Sequence, residues 1–189
     1  MRLYEIEKKI KIDDDSMFEE AKEFFLSNQK FINENGGKPI FRGIKTNNNF
    51  VFSGPVENRS PLDSSDSIHE YMVELYKKNN ILARRDNSIF VTNSSGFAAA
   101  YGNIYVIIPN DDYVYSYIKK SRDFFGSTAY YEIRDYLKKQ KPSFDEEKLT
   151  SNICTTAIKH FRGEVCLKAS SYLYINRNVF AKFRKKIQT

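Results

Sequence analysis

The chain has 189 residues, 30 lysines and arginines against 24 aspartates and glutamates, a formal charge of +6, and 41% apolar residues. Thirteen tyrosines and fifteen phenylalanines exclude a chain that stays disordered, and the absence of repeats or low-complexity tracts excludes solenoid, collagen and coiled-coil designs. One domain over 1–189 is expected, because domains run about 100–200 residues and a chain of this size buries roughly 70% of its unfolded surface. The positive excess calls for an anionic partner without choosing between nucleotide, nucleic acid and membrane face.

In chain order, acidic residues at 13–15 and Ser16 suit the positive end of a helix dipole, and Met17, Phe18, Ala21, Phe24 and Phe25 recur at helical spacing. The predicted helix stops at Gly36 and Gly37. Residues 39–44 and 50–52 read as short strands around an asparagine turn at 47–49. A helix is expected over 63–80, capped by Asp63, Ser64 or Ser65, with Ile68, Met72, Leu75 and Tyr76 as its apolar stripe. Residues 88–92 predict a strand and 96–102 a short helix closed by Gly102. The β-branched run NIYVIIP at 103–109 predicts a central strand. Another strand is expected over 112–117, where alternating Tyr113, Tyr115 and Tyr117 read as strand packing. Helices follow over 127–140, with Tyr130, Ile133 and Leu137 on one face, and over 146–159; strands follow at 164–167 and 171–175. An N-terminal helical segment (1–36), a core (40–176) and a basic tail (177–189) make up the expected α+β domain, without regular βαβ alternation.

Cys154 and Cys166 match no zinc or redox spacing and read as reduced thiols, and His69 and His160 read as ordinary polar residues, so no metal is expected. The N-terminus lacks the apolar stretch of a signal peptide, and the longest apolar run, near 104–109, is far short of the about 20 residues a membrane span needs. A cytoplasmic protein without a membrane partner is expected.

Three segments stand out together. The first is Phe41-Arg42-Gly43 on a strand. The second is Phe90-Val91-Thr92-Asn93-Ser94, leading through an alanine-rich helix to Tyr101-Gly102. The third is Gly163-Glu164-Val165-Cys166-Leu167. Their order resembles the ADP-ribosyltransferase superfamily, in the branch whose motifs are arginine, serine-threonine-serine and glutamate. Small phage-borne members with the FRG step and an R-x-P-x-D segment, here Arg59 to Asp63, are similar too. The likeness covers about residues 40–176 and implies a split β-sheet core flanked by helices. It implies a glycosyltransferase that uses NAD as substrate, a mono-ADP-ribosyltransferase acting as a phage effector on a macromolecule in the host cytoplasm.

Cleavage of the nicotinamide–ribose bond passes through an oxocarbenium-like state, which a carboxylate on a ribose hydroxyl stabilises. The resemblance assigns that role to Glu164. Arg42 would grip the NAD pyrophosphate with its planar guanidinium, and Gly43 would admit the nicotinamide amide. Thr92 and Ser94 would hold Glu164 by hydrogen bonds, and Tyr101 or an aromatic at 50–52 would stack on nicotinamide. Members that modify arginine usually carry Glu or Gln two residues before the catalytic glutamate. Here Arg162 stands on that acceptor side and would repel a guanidinium, so arginine is a poor acceptor and a host protein or nucleic acid is favoured. Two alternatives remain. One is a catalytically inactive protein of the same fold that binds nucleic acid or a host protein through Lys138, Lys139, Lys141 and Arg184 to Lys186. The other is an NAD glycohydrolase.

Overall fold

The apolar run NIYVIIP forms a seven-residue strand, Asn103–Pro109, as its β-branched content favours. The computed structural model describes residues 15–60, 65–119, 124, 127–156, 161 and 163–188. Among these the order is α1 (Asp15–Ser27), α2 (Lys30–Glu34), β1 (Phe41–Ile44), β2 (Phe50–Ser53), α3 (Asp66–Lys78), β3 (Ile89–Thr92), α4 (Ser95–Ala99), β4 (Asn103–Pro109), β5 (Val114–Ile118), α5 (Thr128–Leu137), α6 (Glu146–Ser151), β6 (Ile153–Cys154), β7 (Glu164–Lys168), β8 (Tyr172–Asn176) and α7 (Arg177–Ile187). This is an α+β protein with one eight-stranded sheet in the order β2-β8-β4-β1-β3-β7-β5-β6, each neighbouring pair antiparallel.

The sheet is nearly two sheets. β1 runs against β4 over four residue pairs, but it meets β3 at a single pair, Phe41 with Thr92. The four-stranded halves therefore peel apart on either side of that junction. Strand alternation sorts the core accordingly. Ile44, Tyr105, Ile107 and Tyr174 of one half join Ile89, Val91, Val165 and Leu167 of the other in one buried cluster. The opposite face of the first half, including Val106, Ile108, Leu173 and Ile175, packs under α1 and α7 through Ala21, Phe25 and Phe183. A third cluster joins α3, α5 and α6 through Met72, Tyr76, Ile133 and Leu149. Complete burial of such an aliphatic or aromatic side chain contributes about 1.5–3 kcal/mol each.

Two expectations from the sequence are corrected. The first helix breaks at residue 28, where the Asn28 and Gln29 side chains donate to the carbonyls of Phe24 and Phe25 and compete with helix continuation. The helix expected over 146–159 ends at Ser151, because Thr150, Ser151 and Asn152 bond back to carbonyls of the preceding turn. Ile153 and Cys154 then pair with β5, and 157–159 lie outside the described residues. The basic tail is an amphipathic helix: Val179, Phe180, Phe183 and Ile187 face the sheet, and Phe183 meets Phe18 and Phe25 edge-on at 5.5 Å.

Candidate functional site at the split of the sheet

The residues around the junction come from three distant parts of the chain. Phe41 pairs with Thr92, and Thr92 pairs with Glu164 on β7. Cross-strand partners point to one face, so Thr92 and Glu164 stand side by side on the face that also carries Phe90 and Cys166. The turn before β7 is set from β3. Asn93 donates to the Phe161 carbonyl at 3.0 Å and accepts from the Gly163 N–H at 3.5 Å. Gly163 has φ of 111°, a conformation that only glycine adopts without strain.

Glu164 is held by a residue that no motif had marked. Arg85 Nη1 donates to Glu164 Oε1 at 2.7 Å. Its guanidinium carbon lies 4.4 Å from the Phe90 ring and 4.7 Å from the Phe124 ring, so two aromatic faces clamp it. Arg85 is only 7% exposed. Burial opposes its charge, but the Glu164 carboxylate leads the groups that outweigh that, and the arginine is held above its ordinary pKa. The loop that carries it is pinned by Arg84 paired to Asp86 at 3.0 Å, by Asn87 accepting from the Arg84 N–H at 2.8 Å, and by the Arg59 N–H donating to the Asp86 carbonyl at 2.8 Å. Arg59 places a second guanidinium 3.9 Å from the Phe90 ring.

Thr92 stands beside Glu164, and the hydrogen bonds that it and Ser94 make among the described residues are to local backbone. Thr92 Oγ1 accepts from the Ser94 N–H at 3.1 Å, and Ser94 Oγ accepts from Phe97 N–H as the cap of α4. Arg42 leaves β1 on the face of its partner Tyr105, opposite Phe41, and so opposite Thr92 and Glu164. Its Nη1 donates to the Phe90 carbonyl at 3.2 Å. That carbonyl lies where β1 has peeled from β3, and the guanidinium takes the place of a missing strand partner. Gly43 sits under α4: a Cβ there would lie 2.0 Å from the Ala98 carbonyl oxygen and 2.9 Å from Tyr101 Cβ. Gly43 and Tyr101 are therefore neighbours, and Tyr101 and Phe97 are about half exposed beside them. Phe50 and Phe52 are not near the split; Phe50 packs at a tilt against Phe183, and Phe52 meets Phe24 edge-on. Arg162, His160 and the 61–63 part of the R-x-P-x-D segment lie outside the described residues.

A narrow cleft beside Glu164 is lined by Tyr76, Arg85, Ser116, Phe124 and Cys166, with free volume of about 10 Å³, room for about one water. Burial pushes the Cys166 thiol up to about 12 and, with Arg85 adding to it, pushes His69 below its ordinary pKa. Among the described residues no group of three or more His, Cys, Asp or Glu side chains is placed to hold a metal ion, and no helix is long and apolar enough to cross a membrane. The arrangement offers a carboxylate with one oxygen fixed by a buried guanidinium, and a Glu164 side chain still 24% exposed to meet a ligand hydroxyl.

Arg85 was hidden in the sequence because it follows Arg84 in a polar loop, and nothing in the pattern tells the buried arginine from its surface neighbour. No family model, curated protein or solved structure matches the chain.

Proposed function

We propose that this protein is an NAD-dependent mono-ADP-ribosyltransferase, with Glu164 on the ribose of NAD and a macromolecular acceptor other than arginine, as in an effector a phage directs at its host. One observation carries the reading: Phe41, Thr92 and Glu164 line up on three neighbouring strands at the split, although 123 residues separate the first from the last. Two of the three segments that resemble the family bring their expected residues, Thr92 and Glu164, to one face, and the first contributes Phe41 there with Arg42 on the other face. In this scheme Glu164 stabilises positive charge that develops on the ribose as nicotinamide leaves. Arg42, on the other face, supports the split and reaches the ligand only through it. Nicotinamide release from NAD, and label transfer from NAD to host lysate, test the proposal. Glu164→Gln should lower both at least about 100-fold, and a folded wild type that releases no nicotinamide refutes it. Free ADP-ribose without labelled product identifies hydrolysis instead.

A second reading, a binding protein of this fold without catalysis, is favoured by the ion pair that already occupies Glu164 and by the small cleft beside it. Lys138, Lys139 and Lys141 after α5, and Arg184, Lys185 and Lys186 on α7, are exposed. Nucleic-acid affinity that falls steeply with salt, with no NAD binding by calorimetry, selects this reading.

A further inference from the structure

We infer that Arg85 is the positioning residue for Glu164, an inference that rests on the reading of Glu164 as the group that meets the ribose. A glutamate has three side-chain torsions, and a carboxylate near a reacting carbon is useful only when they are fixed. Among the described residues the hydrogen bond to Glu164 comes from Arg85 and not from the Thr92 hydroxyl, which accepts from the Ser94 N–H. Arg85 supplies the constraint in its place. Phe90 and Phe124 clamp the guanidinium, and its Nη1 holds Oε1 at 2.7 Å. The other carboxylate oxygen has no protein partner among the described residues. One oxygen is thus spoken for by the protein and the second is presented to a ligand hydroxyl. A lysine in place of Arg85 would keep the charge but lose the planar group that stacks between two rings and meets a carboxylate edge-on. Phe124 is 2% exposed and lies on the segment between β5 and α5, so the clamp also ties Glu164 to a third part of the chain.

The experiment is a double-mutant cycle on nicotinamide release, with Arg85→Met, Glu164→Gln and the pair combined, and Phe124→Leu as a milder variant. Circular dichroism checks that each is folded. Arg85→Met should lower kcat about 100-fold while KM for NAD stays within about threefold, because placement of the carboxylate is lost and not the binding of the dinucleotide. Arg85→Lys should recover less than about a tenth of the lost rate, since charge alone does not restore the planar clamp. In the Glu164→Gln background, Arg85→Met should have no further effect, since a residue that acts through Glu164 has nothing left to position. Phe124→Leu should reduce kcat several-fold with KM unchanged, and it decides the matter if Arg85→Met does not fold. Independent, multiplying losses in the cycle overturn the inference and leave the proposed activity standing, and so does a Phe124→Leu or Arg85→Met protein with wild-type kcat. A folded wild type with no NAD cleavage overturns the proposed activity and this inference with it.

Discussion

Gly43→Ala tests whether the glycine of the FRG step serves ligand entry or helix packing. The added Cβ would stand 2.0 Å from the Ala98 carbonyl oxygen, 2.9 Å from Tyr101 Cβ and 3.1 Å from the Ala98 carbonyl carbon. A carbon–oxygen contact settles near about 3.3–3.6 Å, so α4 must withdraw from β1 by more than about 1 Å. α4 is five residues long, capped by Ser94, and Ala98 is its buried anchor at 2% exposure. The obstructing atoms are backbone, so no side chain can rotate out of the way. Overpacking of this kind costs about 1–3 kcal/mol, more where backbone must move, and the upper end applies here. For a chain of 189 residues, a loss of about 3 kcal/mol lowers Tm by roughly 6–12 °C. Thermal unfolding followed by circular dichroism, with a urea titration to check that the m-value is unchanged, reads it out. Gly96→Ala is the control: its nearest neighbour would be Ser94 Oγ at 3.8 Å, and alanine in a helix should leave stability unchanged or raise it by up to about 1 kcal/mol. A Gly43→Ala protein within about 1 °C of wild type refutes the packing argument and returns the glycine to the ligand.

Two further outcomes are expected. The Tyr172 hydroxyl, on a residue with no exposed surface, donates to the Leu167 carbonyl at 2.9 Å and accepts from the Ala169 N–H at 2.7 Å. Tyr172→Phe removes both bonds from the buried interior and should cost about 1–3 kcal/mol in urea unfolding; a loss below about 0.5 kcal/mol contradicts it. Burial pushes the Cys166 thiol up to about 12 and raises the phenols of Tyr71, Tyr76, Tyr113 and Tyr172 above their ordinary value. The native state therefore keeps protons that the unfolded chain gives up. Stability from these groups is fully present below the ordinary thiol pKa of about 8.5 and is lost as pH rises toward 12. The urea midpoint should hold between about pH 7 and 8 and fall from about pH 9 upward, with Cys166 unreactive to alkylation in the native protein at about pH 8. A midpoint that stays level to about pH 11 refutes it.

The helix stripe Ile68, Met72, Leu75, Tyr76 and the central strand at 103–109 were legible because period 3.6 and β-branched runs are local signals. The break at Asn28 and the early end of α6 were not, since side-chain amides and hydroxyls that compete with the backbone leave the periodicity intact. The basic residues of 177–187 masked Phe180 and Phe183, whose helical spacing matters only once β4 and β8 are there to receive it.

Composition and periodicity, then, determined an α+β domain and its strand and helix types, while the segments that carry Arg42, Thr92 and Glu164 were singled out by resemblance alone. Tertiary structure decided how those segments meet. Strand pairing put Thr92 beside Glu164, pleat parity sent Arg42 to the other face, and α4 filled the space above Gly43. Arg85 reaches Glu164 across 79 residues of chain. The physical reason is range: hydrophobic period is written between residues a few positions apart, whereas an ion pair between β7 and a distant loop exists only after the sheet has closed around it.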